Sequence, residues 1–230
     1  GDWQRGTPDQ VPSVVPSTTK ARIVLVDKPG APQSQLRAVS VSAPRNTPDY
    51  EAMRVLNDAF GGLFSSRLNL NLREAHGYTY GANSQFVFRR SPGFFVAASG
   101  VRTDVTAPAL AEINTELTKI RSGINADELT LTKDAIIRSL PSDFETSSSV
   151  SNSTAGLFIY GLPLDHDVRA QARFAGVTSA QVTAAAQKYL VPDRTLFIVV
   201  GDRAKIAADL EKLNLGTIEE WSADGTRVGR

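Results

Sequence analysis

Arg73 and Tyr80 carry hydrogen-bond donors that could hold a peptide. Arginine carries five N–H donors in a rigid fork and keeps its charge at any working pH, and a tyrosine hydroxyl adds one more donor on a stiff arm. Side by side at the mouth of a cleft, they could hydrogen-bond the carbonyls of an extended peptide or its carboxylate. They lie seven residues apart in Ser66-Arg67-Leu68-Asn69-Leu70-Asn71-Leu72-Arg73-Glu74-Ala75-His76-Gly77-Tyr78-Thr79-Tyr80-Gly81. That stretch reads as the last turns of a helix, a glycine stop at Gly77, and a strand entered through two tyrosines. The stop would fold Tyr80, just inside the strand, back toward Arg73 in the last helical turn. A plainer reading stands beside this one. Arginine at a helix C-terminus satisfies carbonyls and complements the dipole, as does His76. Tyr78, Tyr80, Phe86 and Phe88 would share one strand face, and such a face is usually core.

Other chemistries lack their residues. Zinc hydrolysis needs imidazoles or carboxylates that converge, commonly two histidines four apart on one helical face. The chain has two histidines, His76 and His166, ninety positions apart, and no HxxEH or inverted pair. Asp165-His166-Asp167 looks metal-like, but consecutive side chains point in different directions, and the segment reads as a solvated turn after Pro163. Gly61-Gly62 is a helix stop and not a phosphate loop. Ser147-Ser148-Ser149 has no GxSxG elbow, and Asn152-Ser153-Thr154 is a glycosylation sequon of a kind that occurs often by chance. Cysteine is absent, which removes disulfides, thiolate nucleophiles and thiolate metal sites together. Catalysis by this chain alone is not expected.

Composition narrows the partners. With 230 residues, 41% of them hydrophobic and 21% charged, the chain can bury a full core. Its 25 basic and 24 acidic residues are spread evenly, and no basic run alternates with aromatics, so nucleic acid is not an expected partner. No apolar stretch reaches the length of a membrane span. Residues 1–19 lack the apolar segment of a signal peptide, and a chain that begins with glycine looks processed or cut from something longer.

The elements that would position Arg73 and Tyr80 follow from periodicity. Residues 1 to about 20, with Pro8, Pro12 and Pro16, read as a linker. A strand over 21–26 ends at Asp27-Lys28-Pro29-Gly30, and an alternating strand over 35–42 follows; the short turn favours antiparallel pairing of the two. Thr47-Pro48-Asp49 opens a helix whose Met53, Leu56 and Phe60 share a face, stopped at Gly61-Gly62. A second helix runs from Leu63 to His76, then strands over 78–90 and 94–101 flank Ser91-Pro92-Gly93. Leu110, Ile113, Leu117 and Ile120 make a helical stripe ending at Gly123, and Asn125 with Glu128 has capping-box spacing for a helix through Leu131, Ile136 and Leu140. Pro141 should kink or end it. Helices over 146–160, from Thr178 to Leu190 and over 203–213 enclose a strand from Arg194 to Val200. Paired strands with clustered helices predict an α+β layer architecture.

The Ser66–Tyr80 block resembles the pitrilysin/insulinase family of zinc peptidases, in the half that holds no zinc. The family pattern there is similar to S-R-L-x-x-x-L-R-E-x-x-G-x-x-Y, which Ser66 through Tyr80 matches without a gap. Phe60-Gly61-Gly62, Tyr160-Gly161-Leu162-Pro163, Thr178 with its helix and Val199-Val200-Gly201-Asp202 resemble outlying family landmarks, and Gly1-Asp2-Trp3 resembles the close of a preceding domain.

The resemblance implies a mitochondrial-processing-peptidase-like fold: an antiparallel-rich sheet with helices packed on one side. It divides the chain into a linker or end of a preceding domain (1–20), one inactive peptidase domain (21–216) and a tail (217–230). It maps the substrate-contacting arginine and tyrosine of the family to Arg73 and Tyr80, with Tyr78 as a second contributor. It implies no cofactor in this chain, zinc in a catalytic partner domain or subunit, a peptide substrate, and no membrane insertion. Bacterial relatives of the tandem type favour the periplasm by analogy. The alternative is a family member that has lost proteolysis and serves as a scaffold in a larger assembly.

Overall fold

The computed structural model describes Asp2, Gly6, Thr7 and residues 19–228. The proline-rich lead-in otherwise lies outside the described residues, Pro8, Pro12 and Pro16 included.

Six strands build one mixed sheet: β1 (Arg22–Asp27), β2 (Gln33–Val41), β3 (Ala82–Val87), β4 (Phe94–Arg102), β5 (Leu196–Gly201) and β6 (Thr217–Trp221). Their spatial order is β3-β4-β2-β5-β1-β6. The pairings from β3 through β4 and β2 to β5 are antiparallel, and those from β5 through β1 to β6 are parallel. Strand alternation sends Ile23, Leu25, Leu36, Ala38, Phe95, Ala97, Phe197 and Val199 to one face, where all are buried. Gln35 and Arg37 on the opposite face stay exposed.

Among the described residues there are eight α-helices, most of them in the second layer: α1 (Tyr50–Asn57), α2 (Arg67–Asn69), α3 (Thr106–Lys119), α4 (Ala126–Ser139), α5 (Ser147–Tyr160), α6 (Ala170–Ala175), α7 (Ser179–Tyr189) and α8 (Arg203–Lys212). Met53, Leu56, Phe60, Leu110, Ile113, Leu117 and Ile120 are buried with the strand residues in one core. This is the α+β architecture that the sequence predicts, antiparallel-rich with helices on one side.

Local signals explain many boundaries. Asn125 and Glu128 close the expected capping box at the start of α4, and Thr178 does the same with Gln181 at α7. Gly77, Gly123 and Gly161 end helical segments with φ of 62°, 103° and 65°, where a side chain would be strained. Gly61 is needed for another reason: a Cβ there would lie 2.6–2.9 Å from atoms of Ser84, so the end of the first helix could not approach β3.

Several expectations give way. β1 and β2 are not neighbours, because β5 lies between them. The run Leu196-Phe197-Ile198-Val199-Val200 is apolar throughout and takes the central slot that suits such a strand. Lys28 to Ala31 is therefore a turn between separated strands, closed by Ala31 N–H to the Lys28 carbonyl at 3.2 Å.

Thr47 does not cap α1. Its hydroxyl accepts the Asp49 N–H at 3.3 Å, and the Asp49 carboxylate ties down α7 through Lys188 and Tyr189 at 2.8 and 2.6 Å. Leu131 is exposed, unlike Ile136 on the same helix. The helix α6 carried no sequence signal, and the segment read as a tail contributes β6. Both helical segments beside β3 finish in wide π-helical turns, Asp58–Gly62 and Leu70–Ala75.

Candidate functional site

The Ser66–Gly81 block is anchored by polar side chains, each to a different element. Arg67 donates to both carboxylate oxygens of Glu128 at 2.6 and 2.7 Å and to the Gly123 carbonyl at 3.0 Å, fixing the block to α4. That bond, more than proximity alone, raises the arginine and lowers the Glu128 carboxyl from their ordinary pKa values. Asn71 donates to Glu112 and Glu116 of α3 at 2.8 and 3.1 Å. Asn69 is buried and behaves like a strand partner: its Nδ2 donates to the Ala82 carbonyl at 2.8 Å, and its Oδ1 accepts the Ala82 N–H at 2.9 Å. Leu68 and Leu72 fill the core between these ties.

The segment between helix and strand is a built loop. The Tyr78 N–H reaches back to the Leu72 carbonyl at 2.8 Å. The Thr79 hydroxyl lies 2.7 Å from the Gly100 carbonyl and 2.8 Å from the Gly81 carbonyl, and Arg102 donates to the Gly77 carbonyl at 3.2 Å. These bonds take residues 78–81 out of the sheet, so the expectation that the strand begins at Tyr78 is corrected: it begins at Ala82. The shared aromatic strand face is corrected with it, since only Phe86 of the four expected residues lies within β3.

The three candidate residues therefore differ in setting. Tyr80 stands at the loop tip, 92% exposed. Arg73 is half-buried in the π-helical turn, its guanidinium 4.3 Å from the ring centre of Phe64 and 3.6 Å from Glu74. Tyr78 packs partly on the core and stacks on His76, with ring centres 4.8 Å apart. Among the described residues, Arg73 and Tyr80 share no hydrogen bond, and Arg73 faces Phe64, itself 70% exposed.

β3 is a terminal strand of the sheet, and its outer edge lies beside this block. Alternation turns the N–H and C=O of Ala82, Ser84 and Phe86 away from β4. Asn69 takes those of Ala82, and Gly61 closes on Ser84. The arrangement can offer an extended chain one stretch of backbone edge, an exposed tyrosine, an arginine and two exposed apolar side chains, Phe64 and Leu70.

The residues do not fit a zinc site. Among the described residues no group of three or more His, Asp and Glu side chains is placed to hold a metal. The Asp165-His166-Asp167 turn is not the solvated segment expected: His166 Nε2 lies 3.1 Å from Arg45 and 3.0 Å from Arg173, and Asp167 accepts the Ser153 hydroxyl at 2.6 Å. Its three side chains do diverge to different partners, Asp165 pairing with Arg169.

The family model for the Peptidase M16 inactive domain matches residues 1–136. The chain belongs to the peptidase M16 inactive-domain family.

Solved structures share this fold. A peptidase M16 inactive domain from Pseudomonas fluorescens superposes with a TM-score of 0.77 at 25% identity, over 85% of this chain and 47% of that one. A protease from Helicobacter pylori gives 0.78 at 20% identity, over 87% and 48%. The periplasmic protease PqqL from Escherichia coli gives 0.65 at 20% identity, over 79% and 20%. The inactive domain thus spans about half the length of the first two. No curated protein matches significantly.

Sequence reasoning missed Arg67, Asn69 and Asn71 as the residues that position the block. A signal was present: asparagine is a poor helix former, and two of them inside one short helix indicate side chains bonded elsewhere.

Proposed function

We propose that this inactive domain holds an extended peptide while a separate catalytic half of the peptidase carries the hydrolytic zinc. The peptide would lie over the Tyr80 loop at the start of β3, since Asn69 and Gly61 close the strand's own edge at Ala82 and Ser84. Arg73 and Tyr80 would donate to its carbonyls or its carboxylate, and Tyr78 would support Tyr80 from the His76 stack.

One observation carries the reading. Tyr80 is 92% exposed at the end of a loop that is otherwise held by bonds to Leu72, Gly100 and Arg102, so the backbone that carries it is anchored while its side chain faces solvent. An anchored residue with a free donor is suited to recognising a peptide backbone.

The test is peptidase turnover with the catalytic half present. Arg73→Ala should lower kcat/KM about 100-fold, and Tyr80→Phe about tenfold, the value of one hydrogen bond made to the reacting substrate. Thermal unfolding should not move in either variant. Unchanged turnover in both would refute the proposal and leave a scaffold role in a larger assembly.

A further inference from the structure

A cavity of about 510 Å³ opens between α1, α4, α5 and α6, and no residue of the 66–81 block lines it. Its polar wall is organised by one tyrosine. The Arg45 guanidinium lies 3.4 Å from the ring centre of Tyr50, and Arg54 donates to the Tyr50 hydroxyl at 3.1 Å. Tyr50 itself rests on Phe88, ring centres 4.9 Å apart. Two guanidiniums are therefore held on one rigid plate.

They differ from the third arginine on the wall. Arg173 is engaged: it donates to Glu51 at 2.6 Å and to the His166 carbonyl at 2.8 Å, and its third nitrogen lies 3.0 Å from His166 Nε2. Among the described residues, neither Arg45 nor Arg54 has a carboxylate within 4.0 Å. His166 offers no further donor at Nε2. Because that nitrogen faces two guanidiniums it must accept, so the ring is neutral and carries its proton on Nδ1.

Burial pulls Arg45 below the ordinary guanidinium value, which marks a cation short of compensation. For Arg54 burial is also the largest influence and acts the same way, but Tyr50, Asp58 and Asp143 together outweigh it and the net shift is upward.

The rest of the wall selects the anion. Asp143 and Asp167 also line the cavity and limit its net positive charge, which disfavours a dianion. Ile136, Leu140, Leu157 and Phe174 give it an apolar side. We propose that this cavity binds a monocarboxylate with an apolar body, its carboxylate held between Arg45 and Arg54 and its body against Ile136, Leu140, Leu157 and Phe174. Such a group could come from a free carboxylic acid or from the C-terminal residue of a peptide.

Gly156 provides a variant that leaves every charge in place. It lines the cavity on α5, and a Cβ there would meet nothing within 4 Å. Gly156→Leu should fill the space without straining the helix, which gains propensity.

Calorimetric titration of the chain with hexanoate, with the tripeptide Ala-Ala-Leu, with its C-terminal amide and with inorganic phosphate reads the site. Hexanoate or the free-acid tripeptide, or both, should bind saturably, with the tighter of the two identifying the source. The amide and phosphate should each bind about tenfold more weakly or not at all. Arg54→Gln and Gly156→Leu should each weaken binding by at least about tenfold. No saturable binding by either carboxylate, phosphate binding as tightly, or undiminished binding in both Arg54→Gln and Gly156→Leu would overturn the assignment.

Discussion

The two edges of the sheet are treated differently. At β6 the chain turns back on itself: the Ser222 N–H donates to the Thr226 carbonyl at 2.8 Å, the Val228 N–H donates to the Glu220 carbonyl at 2.8 Å, and Trp221 bridges to Arg227. Arg22 and Arg227 add charge around Glu219. That edge is covered from within. At β3 the cover comes from the side chain of Asn69 and the close approach of Gly61, while the backbone of Phe86 has no cross-strand partner on that side. Free strand edges invite pairing with other chains, and proteins usually block them. One edge is covered by the returning backbone and the other by a side chain and a helix end, with only the backbone of Phe86 left to face outward.

The most damaging way to break this contrast is at Asn69. Asn69→Ala removes both bonds to Ala82 and leaves a buried N–H and C=O unpaired. It should cost about 2–4 kcal/mol of stability, read by denaturant unfolding. It should also lower turnover in the assembled peptidase, because the start of β3 and the Tyr80 loop lose their register. A stable Asn69→Ala variant with full turnover would show that the amide is not what sets the edge.

A smaller effect is expected at the covered edge. Val228→Pro removes the donor to Glu220 and should cost about 1 kcal/mol or less. Its more telling consequence should be self-association, visible by sedimentation, as β6 becomes available to a second chain. A strictly monomeric variant would mean that the return of the chain does not protect the edge.

The smallest effect separates the edges by pH. Bonding to Arg67 lowers the Glu128 carboxyl below its ordinary value of 4.5 in the folded chain. The unfolded chain therefore takes up the proton first as pH falls. The stabilisation is complete well above 4.5 and is lost as pH drops through the lower folded-state value. Protection of residues 67–75 from hydrogen exchange, relative to the intrinsic rate, should fall in that acidic window, and Glu128→Gln should remove the response. Acid sensitivity unaltered by Glu128→Gln would place the titrating group elsewhere.

Much of this was legible in the residues, for physical reasons that vary with the element. The α4 and α7 starts were readable because capping boxes are local: Asn125 with Glu128, and Thr178 with Gln181, need only their own turn. The neighbours of β1 were not, because strand order depends on which run is buried deepest, and β5 arrives more than 150 residues later. Arg73 and Tyr80 were singled out by the family resemblance, since by residue type alone they read as a helix cap and a core aromatic. Their surroundings were not legible, since the Thr79 hydroxyl that withdraws Tyr78 and Tyr80 from the sheet bonds to Gly100, a partner on another strand. The cavity around Tyr50 was invisible for the same reason: Arg45, Arg54 and Arg173 meet only through tertiary packing.

The wide turn over Leu70–Ala75 has an evolutionary side. In an ordinary α-helix each residue advances about 100° around the axis, so one residue more or fewer re-aims every side chain beyond it. A π-helical turn holds one such extra residue. The heading of Arg73 is thus stored as a residue count, and the block should accept many substitutions yet very few single-residue deletions between Leu70 and Arg73.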